Sequence, residues 1–186
     1  MNRTSSFRRR LLLPAFLLAL GAAPVVLLSG CETEIEKNTD KHTAEQKAKD
    51  DEAIRTYLTA NNITNFTRTE TGLYIVPVTE GASEQLAVGK TAQVKYIGGY
   101  LNKTKFESSV DNGSPCGCIT VVIGTNQVLI GGRPAVEGWN QSIPKMKVGD
   151  RKILLIPSYL GYGTCTTCGV PPDTPLVFDV EVLSQR

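Results

Sequence analysis

Leu176-Val177-Phe178-Asp179-Val180-Glu181-Val182 alternates at a period of two, with Phe178, Val180 and Val182 on one side and Asp179 and Glu181 on the other. A strand buried on one face reads this way. The same period returns in Ala92, Val94 and Tyr96 against Gln93 and Lys95, and short apolar runs occupy 73–78, 119–123 and 153–156. Each run ends at Gly, Pro, Asn or Asp, residues that turn the chain. Only 137–142 reads as a helix among the strands, and it carries Trp139, the single tryptophan. Strands joined by turns with one helix predict an antiparallel sheet whose apolar face that helix covers. By itself Trp139 reads as core.

Upstream of residue 72 the pattern changes. Residues 1–30 hold Arg3, Arg8, Arg9 and Arg10 and no acid, and the arginines precede an apolar stretch, 11–28, interrupted by Pro14, Gly21 and Pro24. That order predicts a secretion signal, with an uncleaved anchor as the alternative for a stretch of borderline spanning length. Residues 31–42 are mostly Glu, Thr, Lys, Asn and Asp and read as a solvated tether that contains His42, the sole histidine. Thr43-Ala44-Glu45-Gln46 fits a capping box, and Ala53, Ile54, Tyr57 and Leu58 recur at helical spacing until Asn61-Asn62. Residues 43–71 therefore read as a helix and connector, the helix packing on the domain in preference to reaching a partner.

The chain of 186 residues is 41% apolar and 20% charged, an ordinary globular composition. Removing the four early arginines from its 20 basic residues leaves 16 against 18 acidic ones, so the remainder carries no basic field for nucleic acid. With His42 assigned to the tether, neither a Ser-His-Asp triad nor a histidine metal site is expected in the strand-rich part.

Two resemblances add to this reading. Leu28-Ser29-Gly30-Cys31 resembles the bacterial lipobox, which implies lipid attachment at Cys31 and a folded part held at the bacterial cell envelope, in the periplasm or at the outer membrane. Val94-Lys95-Tyr96, Lys105-Phe106-Glu107-Ser108-Ser109, Gly138-Trp139, Met146-Lys147-Val148-Gly149, Tyr162-Gly163 and Pro171-Pro172 through Glu181 follow in order. Together they resemble the FKBP-type peptidyl-prolyl cis/trans isomerase family over residues 72–186. The resemblance implies an α+β fold, a bent antiparallel half-barrel sheet wrapped round one short helix, here with an additional N-terminal helix. It also implies an aromatic pocket formed by Tyr96, Phe106, Trp139, Tyr162 and Phe178, with Glu107 where the family usually has Asp.

Ile119 and Val170 match further wall positions by the same resemblance. The apolar pair before the helix falls on Val128 and Leu129 when counted forward from Gly124, whereas counting back from Trp139 gives Val136. The difference reflects about seven extra residues around Gly131-Gly132-Arg133-Pro134, and the forward count is preferred. The implied activity is isomerisation of X-Pro amides in unfolded or exported polypeptides without any cofactor. A peptide-binding module with little turnover is the alternative. Besides Cys31, the cysteines are Cys116 and Cys118, one residue apart, and Cys165 and Cys168, two residues apart. Three disulfide pairings are possible, and bridges between the two loops are preferred over local ones. A four-thiolate zinc site and a thioredoxin-like role for Cys165 and Cys168 stand as alternatives.

Overall fold

The decisive strand lies within the sheet with a neighbour on each side. The computed structural model describes residues 34–186. Its strands are β1 (Thr67–Arg68), β2 (Tyr74–Thr79), β3 (Thr91–Tyr100), β4 (Lys105–Ser108), β5 (Ile119–Ile123), β6 (Val128–Ile130), β7 (Arg133–Pro134), β8 (Arg151–Ile156) and β9 (Leu176–Gln185). They form one antiparallel sheet in the order β1-β2-β8-β9-β3-β5-β6-β7, with β4 also paired to β3. The register of β3 shifts between Gln93 and Val94 against β9, and between Gly98 and Gly99 against β4. Such bulges add local twist and bend a sheet, which is how this one curves round its helix.

Alternation sorts the strands onto two faces. Leu154, Ile156, Phe178, Val180, Val182 and Val94 are buried in the main core with Trp139 of α2 (Glu137–Ser142). A Cβ on Gly138 would stand 2.7 Å from the Ile156 side chain, so the glycine lets α2 lie close against β8. On the other face, Tyr74, Val76 and Leu155 pack against Ile54 and Leu58 of α1 (Glu34–Ala60), and all five are buried.

The expectation of a single apolar face therefore missed a second one. Its signal was present: 73–78 and 153–156 are nearly continuous apolar runs, the pattern of strands covered on both sides.

The N-terminal helix begins inside the stretch read as a tether. It spans 27 residues from Glu34, so the tether boundary at 42 and the capping box at Thr43 are both corrected. Thr43 is internal to the helix, and its Oγ1 donates to Thr39 O at 2.9 Å instead of capping. Polar residues with good helical propensity need no apolar stripe to continue a helix whose downstream half is already docked. The expected stop is in place: Asn62 adopts a left-handed φ of 54°, and Ile63 N donates to Leu58 O at 2.9 Å. The signal segment 1–30 and Cys31 lie outside the described residues. Among the described residues no helix is long and apolar enough to cross a membrane.

Candidate functional site

Tyr96 sits near the middle of β3, where the strand passes from β5 to β4 as its partner. Ser109, buried at this divergence, accepts a hydrogen bond from Tyr96 N at 2.9 Å and donates to Gly117 O at 2.8 Å. One hydroxyl thus fixes the backbone of Tyr96 and the loop beside it. Two residues on, Gly98 makes room for the rings: a Cβ there would lie 2.8 Å from Phe178 Cε1 and 3.1 Å from both Phe106 Cζ and Glu107 Cγ. Neither Ser109 nor Gly98 was assigned a role from sequence, although Ser109 closes the quoted Lys105–Ser109 stretch.

The rings meet edge to face. Trp139 stands 5.1 Å from Tyr96 and 5.5 Å from Phe178 between ring centroids, at 88° and 82°, and Phe106 meets Phe178 at 5.8 Å and 89°. Such pairs are favourable beyond the area they bury. They leave a hollow of about 180 Å³ lined by Tyr96, Glu107, Trp139, Tyr162 and Phe178, with Ile130, Pro134, Ala135 and Val136 as the remaining wall. That volume is below the roughly 300–1,000 Å³ of small-molecule pockets and suits a single side chain. Trp139 Nε1 is buried and has no hydrogen-bond partner, the one such side-chain atom among the described residues.

The forward count to Val128 and Leu129 is corrected. Val128 is fully buried in register with Ile123, Leu129 pairs with Val122 and Pro134, and neither lines the hollow. The extra residues are used in a hairpin of β6 and β7 that turns at Gly131 and Gly132, both at positive φ (57° and 80°). Consequently the wall comes from the hairpin residues Ile130 and Pro134 together with Ala135 and Val136, the last being the position the backward count gave. The hairpin is tied to α2 by Val128 N donating to Asn140 Oδ1 at 2.8 Å.

Ile119 and Val170 also belong to the core and not to the wall. Ile119 pairs with Val94 and, partly buried, packs against the main core, while Val170 is buried within it. Phe106, expected in the pocket, meets Phe178 and Tyr100, the latter at 5.1 Å, but does not line the hollow, which corrects its place in the ring set.

Electrostatics keep the two phenols of the rim protonated. Burial pushes the Tyr96 hydroxyl up to about 12, with the Glu107 charge adding to the shift. The Tyr162 hydroxyl moves up for the same two reasons. Burial also raises the Glu107 carboxyl, while the hydrogen bond donated by Tyr96 opposes that rise. Both phenols are therefore donors at neutral pH, one already given to Glu107 and the other facing the hollow from the segment after the 3-10 turn Ser158–Leu160.

The cysteines pair within their own loops, Cys116 with Cys118 and Cys165 with Cys168, which corrects the expected bridges between loops. Their Cα separations of 5.2 and 5.7 Å lie in the ordinary disulfide range. In the shorter pair Gly117, at φ 59°, turns the chain back on itself, a freedom the residue count alone conceals. With each pair closed, the four sulfurs do not form one zinc ligand set.

Comparison with known proteins converges on the same segment. A family model described as FKBP-type peptidyl-prolyl cis-trans isomerase matches residues 82–183. An FK506-binding protein of Neisseria meningitidis serogroup B is 38% identical over 113 residues, which are 60% of this chain and 94% of that protein. A peptidyl-prolyl cis-trans isomerase of Schizosaccharomyces pombe is 39% identical over 98 residues, 52% of this chain and 78% of that one. The crystal structure of FkpA from Escherichia coli shares the fold at a TM-score of 0.58 and 24% identity, covering 81% of this chain and 64% of that one.

Proposed function

The chain belongs to the FKBP-type peptidyl-prolyl cis-trans isomerase family, and on that premise we propose that it isomerises X-Pro bonds of unfolded or exported polypeptides in the hollow over Trp139. The observation that carries the reading is the convergence of Tyr96, Trp139, Tyr162 and Phe178 on one hollow the size of a side chain.

An X-Pro amide is planar through resonance, and rotating it meets a barrier of about 18–20 kcal/mol. At mid-rotation the nitrogen lone pair is decoupled from the carbonyl, so the twisted amide is less dipolar than either planar isomer. A ring-lined site that removes water from the prolyl bond disfavours the planar state relative to the twisted one, and fixed donors at the carbonyls add to the difference. Tyr162 supplies one donor, its hydroxyl kept protonated by burial. Val136 supplies a backbone donor, because its N–H makes no hydrogen bond among the described residues and its side chain lines the hollow. Glu107 orients the Tyr96 hydroxyl.

The same reading extends to location and partners. The arginines, the apolar stretch and Leu28-Ser29-Gly30-Cys31 support cleavage before Cys31, a lipid on its sulfur and attachment to a bacterial envelope membrane. Labelled palmitate incorporated by the wild type and lost in Cys31→Ser tests the anchor.

For the activity, a proline tetrapeptide is relaxed with and without protein. The wild type is expected to accelerate cis/trans exchange, with kcat/KM reduced about tenfold or more in Phe178→Ala and several-fold in Tyr162→Phe. An unchanged rate overturns the isomerase reading. The hairpin wall of Ile130 and Pro134 favours a second reading, a binding module, and retention of unfolded chains without rate enhancement would establish it.

A further inference from the structure

His42, Gln46 and Asp50 follow one another at intervals of four and so form a stripe on one face of α1. All three reach the segment that carries Tyr162. Asp50 Oδ2 accepts from Ser158 N at 2.8 Å and from Ser158 Oγ at 2.7 Å, and its Oδ1 accepts from Gln46 Nε2 at 2.8 Å. The same Gln46 amide donates to Asp173 O at 3.0 Å, and His42 Nε2 lies 3.1 Å from Asp173 Oδ2. The two ends of the segment are also joined to its middle. Ser158 O accepts from Gly161 N at 2.9 Å and Gly163 N at 2.8 Å, while Asp173 N donates to Gly163 O at 2.8 Å. Tyr162 lies between those two glycines.

We propose that α1 is a positioning element for Tyr162, holding both ends of the 158–173 segment through His42, Gln46 and above all Asp50. Asp50 is 1% exposed, and its hydrogen-bond donors are two groups of Ser158 and one amide, all neutral. A buried carboxylate is costly unless its oxygens are fully engaged, so a carboxylate with only loop and helix donors is committed to fixing that loop. Docking of the helix does not require it, because Ile54 and Leu58 already bury the downstream turns. At the far end Asp173 holds a left-handed φ of 53°, a conformation uncommon outside glycine, and the two α1 side chains grip it there. The stripe lies outside the family match at 82–183, whereas Ser158, Tyr162 and Asp173 lie inside it.

This inference rests on the role given to Tyr162 above, and its test separates the two. In the full-length chain, Asp50→Asn is expected to lower kcat/KM for a proline tetrapeptide several-fold, and by no more than Tyr162→Phe does, since it acts through that hydroxyl. The loss should appear in kcat per folded molecule, because a displaced hydroxyl no longer favours the twisted amide, and dividing the rate by the folded fraction from urea unfolding separates this from partial unfolding. In a Tyr162→Phe background the same substitution should change little. Amide exchange should quicken at Gly161–Gly163 and Asp173 and stay unchanged at Val180.

Fully multiplicative losses in the double variant, or unchanged exchange in 161–173, would overturn the proposal. Should Asp50→Asn fail to fold, His42→Ala/Gln46→Ala decides, since those side chains lie outside the core: quickened exchange at Asp173 supports the clamp and unchanged exchange refutes it. Absence of wild-type turnover would defeat the isomerase reading, and exchange would still decide the clamp.

Discussion

The two faces of the sheet are built from the same strands and finished differently. On the α1 side, Ile54, Leu58, Tyr74, Val76 and Leu155 close over one another and are all buried. On the α2 side the core is as well buried beneath, yet Tyr96 and Tyr162 are only partly buried round a hollow, and Trp139 leaves a buried N–H without a partner. Polar satisfaction and close packing are the rule in folded interiors, so the place where both stop short is the place with room for another molecule. The α1 face contributes stability and orientation, while the α2 face gives up some packing for function.

Substitutions can break this contrast. The largest effect is expected from Trp139→Ala, which removes the ring that two others contact: about 3–5 kcal/mol of stability by urea unfolding, together with loss of isomerisation. Leu58→Ala on the opposite face should cost about 2–4 kcal/mol, yet leave kcat/KM of the folded fraction unchanged, because the Asp50 clamp lies two turns upstream. If Leu58→Ala abolished activity in folded protein, the division between the faces would fail.

Gly98→Ala should cost about 1–3 kcal/mol through overpacking and reduce activity more than stability, since the added methyl displaces Phe178 and Phe106. Little change in kcat/KM would show that ring placement at Gly98 is not critical.

The smallest effect concerns pH. Burial raises the Glu107 carboxyl in the folded state, so folding favours its protonated form, and its contribution to stability declines as pH rises through the raised value. Thermal melts from the ordinary carboxylate range up to neutrality should therefore show Glu107→Gln gaining on the wild type as pH increases. A constant difference would place the carboxylate in a wetter setting than the rings imply.

Much of the fold could be read directly because it follows local periodicity. The 119–123 strand and the 137–142 helix appear with the boundaries expected. Of the five rings the resemblance placed in the pocket, Tyr96, Trp139, Tyr162 and Phe178 line one hollow and Phe106 does not. What escaped depends on partners far along the chain. Residues 34–42 have no apolar stripe to mark a helix, and the Asp173 that His42 meets is 131 positions away. The choice between counting forward from Gly124 and counting back from Trp139 turned on where a hairpin closes, and two glycines at positive φ settle it for Val136. Disulfide partners depend on how far a loop folds back, which at Cys116 and Cys118 is decided by the left-handed Gly117.

The position of β9 has a consequence for how the chain is made. It pairs with β8 on one side and with β3 on the other, so residues near 92, already paired with β5, find their second partners only near 185. A ribosome or translocation channel releases β9 after every other strand, and until then β1-β2-β8 and β3-β5-β6-β7 are two ribbons with an open seam. Such long-range closure is slow, and exposed strand edges attract wrong neighbours while it waits. A protein whose proposed work is to speed other chains past slow folding steps thus faces a late-closing step of its own.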